Sequence, residues 1–196
     1  MTASRVLDLS TLVMGLNLAA ASGAFAAAPK KPVAKNIIVM IASGRGFNHV
    51  TATSYYAYGQ ADRQAYNRFP FRFAMSTYEA YDAGDPCYGV GYDPALAWKD
   101  FNYVKECFTD SAAAATAMAA GVKTYGGAIG VDLNREPLEN VIQVAEEHGK
   151  ATGVITSVEW SHATPAGFVA HNVSRNNYAE IGQEMIYDSD MAAAGV

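Results

Sequence analysis

The sequence predicts an α/β fold, a mainly parallel sheet flanked by helices, and three observations carry that prediction. Asn36 to Ala42 (NIIVMIA) is an unbroken apolar run of β-formers ended by Gly44 and Gly46. A run without polar alternation suits a strand buried on both faces, as in a parallel sheet. Asp110 or Ser111 opens an alanine-rich helix that runs towards Gly121. A second helix from Pro137, closed by Gly149, leads into a second apolar run, Ala151 to Val158 (ATGVITSV). Strand, helix and strand joined by a tight glycine turn make a βαβ unit.

The elements follow from the N-terminus onward. Met1 to Ala28 reads as an export signal: Arg5 supplies a positive start, Leu12 to Ala21 a mostly apolar stretch, and Ala24-Phe25-Ala26 a small-x-small cleavage site. The other reading is an alanine-rich N-terminus that stays attached. Residues 29–196 then form one domain, opening on a short polar lead-in at Lys30, Lys31 and Pro32. After the first strand, Thr53 to Phe108 is rich in aromatics, with turn signals at Ala83-Gly84-Asp85-Pro86 and Asp93-Pro94. Most of its tyrosines read as core or packing residues, with no chemistry assigned to them. In the second helix Pro137 takes a first helical position, Leu138, Val141, Ile142, Ala145 and His148 share a face, and Lys150 sits near the negative pole.

Composition narrows the function. The chain has 196 residues, 51% of them apolar and 17% charged, with a net charge of -5. That length supports one domain with a core and not two large ones. An acidic balance without a basic stripe argues against nucleic acid as the main partner. No stretch offers ~20 uninterrupted apolar residues, which argues against a membrane span in the mature chain. Export would allow Cys87 and Cys107 to pair, closing a loop worth ~3 kcal/mol by chain entropy. Two free thiols are the alternative.

Three segments carry chemistry. In Thr109-Asp110-Ser111-Ala112-Ala113-Ala114-Ala115-Thr116, a serine at a helix N-terminus faces unpaired backbone N–H groups and the positive end of the macrodipole. That place favours an alkoxide and an anion bound beside it. The small residues that follow keep the helix slim enough for a bulky anion to approach. Plain N-capping by Asp110 or Ser111 is the competing reading. The second segment is Ser161-His162-Ala163-Thr164-Pro165-Ala166 with Arg175 further on. It follows a predicted strand, at the edge where open α/β sheets place ligands. Taken singly, Arg175 could be a solvated helix-face charge and His162 a hydrogen-bonded loop residue. The third is Ser43-Gly44-Arg45-Gly46, directly after the first strand, which could also be a simple strand-ending turn.

The Asp-Ser, four small residues and threonine of the first segment resemble the nucleophile signature of the alkaline phosphatase family. So do Ala119-Ala120-Gly121-Val122-Lys123-Thr124 and Gly127-Ala128-Ile129-Gly130-Val131-Asp132. Phe108 departs from the family's Ile or Val by an apolar exchange. The resemblance implies hydrolysis of small phosphate monoesters through a phosphoserine at Ser111, with Arg175 gripping the phosphate and Asp110 orienting Arg175. It implies zinc and magnesium as cofactors, His162 and Thr164 at the magnesium-type position, a homodimer, and a periplasmic or secreted location. It also places Ser43 where the family has an aspartate bridging two metals, and a neutral hydroxyl is a poorer ligand between two dications than a carboxylate.

The family's remaining zinc ligands lie beyond the stretch that this sequence matches. After Val158 the carboxylates are Glu159, Glu180, Glu184, Asp188 and Asp190, and no histidine follows Arg175. A complete two-zinc site therefore cannot be built from these residues. The expectation is the N-terminal part of an alkaline-phosphatase-like domain, inactive or nearly so by itself. Two other classes stay open: a non-catalytic phosphate- or anion-binding protein, and a serine acyl hydrolase. The last is disfavoured because no Gly-x-Ser-x-Gly elbow surrounds Ser111.

Overall fold

The structure, a computed structural model, describes residues 34–89 and 91–187. The export signal read in residues 1–28 lies outside them, as do Asp188 and Asp190. Residues 34–40 form no helix or ladder and are exposed. From Ile41 onward the described chain carries six α-helices: α1 (Phe47–Tyr58), α2 (Pro94–Lys99), α3 (Ser111–Ala120), α4 (Val141–Glu147), α5 (Ala163–Ala166) and α6 (Tyr178–Ile186). Short 3-10 turns span Ala65–Arg68 and Tyr103–Lys105. None of the described helices is long and apolar enough to cross a membrane.

The predicted strands correct the sequence reading. Neither the 36–42 run nor the 151–158 run has a ladder partner among the described residues, where the β-pairing consists of two isolated antiparallel bridges. Ile38, Met40 and Ile155 are 84%, 89% and 103% exposed. The reason is physical: a helix satisfies its own backbone, whereas a strand draws its hydrogen bonds from neighbours. An apolar run without such neighbours stays irregular. The aromatic stretch differs in the same way, since Tyr56, Phe73 and Trp98 are 95%, 88% and 90% exposed. Its tyrosines are therefore not, as a group, core residues.

Helix boundaries follow capping chemistry. Asp93 is not a turn residue alone: its Oδ1 accepts from the N–H groups of Ala95 and Leu96, with Pro94 at the first position of α2. Pro137 does not begin α4. It forms a bridge with Val131, and the helix starts four residues later, at Val141. Asn140 wins that boundary through a reciprocal capping box. Its Oδ1 accepts from the N–H groups of Ile142 and Gln143, while Gln143 Oε1 accepts from the Asn140 N–H at 2.9 Å. Cys87 and Cys107 are joined as a disulfide with Cα atoms 5.5 Å apart.

The core lies between α3, the 163–170 segment and α6. Ala112, Ile129, Ala163, Ala166, Ala170 and Ile181 form one buried cluster, and Ala115, Ala119 and Phe168 form another. Alanine lets backbones come close, and Gly167 uses that space: a Cβ there would stand 2.7 Å from the Ala115 Cβ. Thr116, fully buried, donates to the Ala128 carbonyl (3.1 Å) and accepts the Gly130 N–H (2.9 Å). It thereby fixes the 127–131 segment on α3. That segment then pairs with residues 172–175: Ile129 and Asn172 exchange both backbone hydrogen bonds (2.9 and 2.7 Å), and the Arg175 N–H donates to the Gly127 carbonyl (2.7 Å).

Gly130 sits at the tightest point of this arrangement. Its φ is +60°, and a Cβ there would come within 2.2 Å of the Ala170 carbonyl oxygen. Both the left-handed backbone and the contact exclude a side chain. Gly130→Ala is expected to destabilise the chain by ~2 kcal/mol or more, read as a lower denaturant midpoint with an unchanged slope. An unaltered midpoint would contradict the close approach.

Candidate active site

The helix-opening serine, the N-cap aspartate and the distant arginine meet. Asp110 is the N-cap of α3, with its Oδ1 accepting the Ala113 N–H at 2.8 Å. Ser111 follows as the first helical residue, so its Oγ projects beside the unpaired N–H groups of the first turn. One Arg175 nitrogen, Nη1, donates to Asp110 Oδ2 (3.0 Å) and to Ser111 Oγ (2.8 Å). The other, Nη2, lies 3.3 Å from His162 Nε2. Backbone pairing places the arginine, because its N–H is held by the Gly127 carbonyl. The Asp110–Arg175 ion pair is partly buried, with side chains 19% and 24% exposed. Charge-assisted bonds in such a place are stronger than those of a solvated surface pair.

The guanidinium has five N–H donors and no acceptor. Among the described residues three are engaged, by Asp110, Ser111 and His162, and two are not. Because arginine only donates, His162 Nε2 must accept, and the neutral ring then carries its proton on Nδ1. That buried Nδ1 has no hydrogen-bond partner among the described residues. The Tyr178 ring, at the start of α6, lies 6.3 Å from the imidazole, tilted 52° to it.

The candidate metal ligands come from two places in the chain. His162 is the N-cap of α5 and Thr164 lies in its only turn. Ser43 lies instead in an exposed turn in which the Arg45 N–H donates to the Ala42 carbonyl (3.2 Å) and Gly44 has φ +70°. No hydrogen bond joins Ser43 to His162, Thr164 or Ser111 among the described residues. Nor do three His, Cys, Asp or Glu side chains converge there on a metal-sized space. Zinc asks for about four N, O or S donors and magnesium for near-octahedral oxygen. One ring nitrogen turned to a guanidinium and one hydroxyl do not fit either ion.

A family model described as alkaline phosphatase matches residues 34–192. The chain belongs to the alkaline phosphatase family. It is 35% identical over 150 residues to alkaline phosphatase H of Pseudomonas aeruginosa, covering 76% of this chain and 28% of that protein. It is 50% identical over 80 residues to alkaline phosphatase 4 of Bacillus subtilis, covering 41% of this chain and 17% of that protein. Among solved structures it is similar to the cold-active alkaline phosphatase from the psychrophile Shewanella sp., with a TM-score of 0.53 and 34% identity over 70% of this chain and 30% of that one. The chain thus spans about a quarter or less of the length of the curated relatives named here.

Elsewhere among the described residues, histidines outside the cluster hold structure together. His49 Nδ1 accepts the Gly46 N–H (3.2 Å) at the start of α1, and His148 bonds the Val144 carbonyl at the end of α4. His171 is the more consequential. Its Nδ1 meets Glu184 Oε1 at 2.9 Å, its Nε2 meets the Leu138 carbonyl at 3.0 Å, and Glu184 also accepts the His171 N–H. Two acceptors favour the imidazolium, and the Glu184 bond raises its pKa above 6.5 against the opposing effect of burial.

A raised folded-state pKa adds stability that is fully present below about 6.5, the unfolded value, and is lost as pH rises through the folded one. Denaturation midpoints are therefore expected to fall as pH climbs from about 6 upward, and His171→Gln is expected to flatten that slope. A wild-type profile already flat over this range would refute the assignment. Sequence reasoning missed the Asn140-x-x-Gln143 capping box, which is a readable local pattern. It also missed Glu79, whose oxygen Oε2 lies 3.4 Å from the Asp110 N–H with no local signal to mark it.

Proposed function

We propose that Ser111 is the phosphoryl acceptor of a phosphate monoester hydrolase and that this chain carries the phosphate-gripping part of its site. The observation that carries the reading is the shared Arg175 nitrogen, bonded to both Asp110 and Ser111 at the positive pole of α3. In this reading Asp110 holds the guanidinium plane. The two remaining N–H groups bind two non-bridging phosphate oxygens in parallel. The Ser111 oxygen attacks phosphorus, the ester P–O bond breaks, and the alcohol departs with a proton. Water then cleaves the phosphoserine to return free Ser111 and inorganic phosphate. Helix dipole and guanidinium oppose the charge that develops on the phosphoryl oxygens.

Zinc and magnesium are the family expectation for activating the serine and the water. The described donors do not fit them, and no step is derived through either ion. What the geometry lacks is a proton acceptor. Among the described residues Arg175 is the hydrogen-bond partner of Ser111 Oγ, and it can only donate. That supports a chain that binds phosphate with little or no turnover of its own, and it favours non-catalytic phosphate binding as the second reading. The proposed ligand is a small phosphate monoester. An exported location, periplasmic or secreted, rests on the signal read in residues 1–28, and a homodimer on the family resemblance. Neither nucleic acid nor membrane enters the reading.

The purified 196-residue chain is expected to bind inorganic phosphate in a calorimetric titration, and Arg175→Ala to weaken that binding about tenfold or more. With added zinc and magnesium it is expected to release no aryl alcohol from an aryl phosphate above the Ser111→Ala background. Phosphate affinity unchanged by Arg175→Ala would overturn the site. Robust metal-dependent hydrolysis would overturn the statement that the chain alone is incompetent.

A further inference from the structure

Helix α3 has an incomplete cap within its own sequence. In a capping box the N-cap side chain accepts an N–H from the first turn, and a Glu or Gln at the third helical position reaches back to accept the N-cap N–H. Asp110 makes the first bond, to Ala113. The third helical residue is Ala113 itself, which has no side chain able to make the second. Asn140 and Gln143 make both bonds at the start of α4, so the contrast lies within one molecule. At α3 the missing acceptor comes from elsewhere: Glu79 Oε2 meets the Asp110 N–H at 3.4 Å, across 31 residues of sequence.

The surroundings hold Glu79 there. The Ala80 N–H donates to the Thr124 carbonyl at 2.9 Å, and the Lys123 ammonium donates to the Tyr78 carbonyl while lying 3.7 Å above the Tyr78 ring centroid. Both chain neighbours of Glu79 are thus tied to the segment that follows α3. The carboxylate occupies the space over Gly126, where a Cβ would come within 2.9 and 3.0 Å of its two oxygens. The titratable groups facing it are Asp110, Asp85 and Tyr81. Burial, with the Asp110 and Asp85 charges adding to it, holds the Glu79 carboxyl above its ordinary range, against the opposing Asp110 N–H and Tyr81. The Tyr81 hydroxyl is pushed up to about 12. Asp110 is the residue that orients Arg175, so whatever fixes the Asp110 backbone also fixes the shared bond from Arg175 to Ser111.

We propose that Glu79 is a positioning residue for the Ser111 site, completing the capping box of α3 from outside the helix. The phosphate arm of the test rests on the reading of Ser111 and Arg175 as a phosphate site, whereas the backbone arm does not. The experiment uses the full chain with Glu79→Gln, Glu79→Ala and Gly126→Ala. Gln keeps an acceptor and removes a charge, Ala removes both, and Gly126→Ala displaces the carboxylate without altering it.

Amide hydrogen exchange at Asp110 and Ser111 is expected to quicken about fivefold or more in Glu79→Ala, a loss of the size of one cap. It is expected to quicken at least twofold in Gly126→Ala and to stay within twofold of wild type in Glu79→Gln. With inorganic phosphate as ligand, Glu79→Ala is expected to bind about threefold or more weakly. Glu79→Gln is expected to bind at least as well as wild type. Exchange in Glu79→Ala within twofold of wild type would overturn the proposal, as would Glu79→Gln behaving like Glu79→Ala. If Glu79→Ala does not fold, the Gly126→Ala and Glu79→Gln pair decides the matter by the same two limits. Absence of phosphate binding in the wild type together with altered exchange would defeat the site reading and leave the positioning role standing.

Discussion

The Arg175 guanidinium ties together groups that lie 65, 64 and 13 residues away along the chain, namely Asp110, Ser111 and His162. A planar group with fixed donor directions can do this only if its own backbone is held, and the Gly127 carbonyl holds it. The 127–131 segment is in turn pinned to α3 by the buried Thr116 hydroxyl. The helix that presents Ser111 therefore also carries, five residues further on, the anchor for the strand-like segment that returns Arg175. Serine and arginine are positioned by one piece of packing.

That packing explains why the residues after Ser111 are small. The alanine face of α3 admits Gly167 and the α5 turn at distances that larger side chains would forbid, and Gly130 passes under the Ala170 carbonyl in a conformation suited to glycine. Small residues here bring α5, and with it His162, close to α3. The same choice removes the side chain that would complete the N-terminal cap of α3, which leaves the N-cap N–H to Glu79.

Apart from that compact region, much apolar surface is uncovered. The 36–42 and 151–158 runs and many aromatics between Tyr55 and Phe108 are exposed. The chain also spans 28% of the Pseudomonas relative to which it is similar over most of its own length. At the site, Asp110, Ser111 and His162 converge on Arg175.

What could be read from the sequence divides along a physical line. Helix α3, its start at Asp110 or Ser111 and its glycine terminus at Gly121 were legible because their hydrogen bonds close within four residues, and the Ser111 motif is a contiguous string; the structure decides for Asp110 as the N-cap. The Asp110–Arg175 pairing was legible only through the family resemblance, since nothing local links positions so far apart. The α4 start was misplaced at Pro137 because proline preference is weaker than the two side-chain bonds that Asn140 and Gln143 exchange. Both strands were over-read, because an apolar run states a willingness to be buried and cannot name its neighbours. Tertiary structure alone decided the shared Arg175 nitrogen, the approach of His162 to the guanidinium, and the reach of Glu79 to Asp110. Each of these depends on where two distant backbones meet, and sequence spacing does not encode that distance.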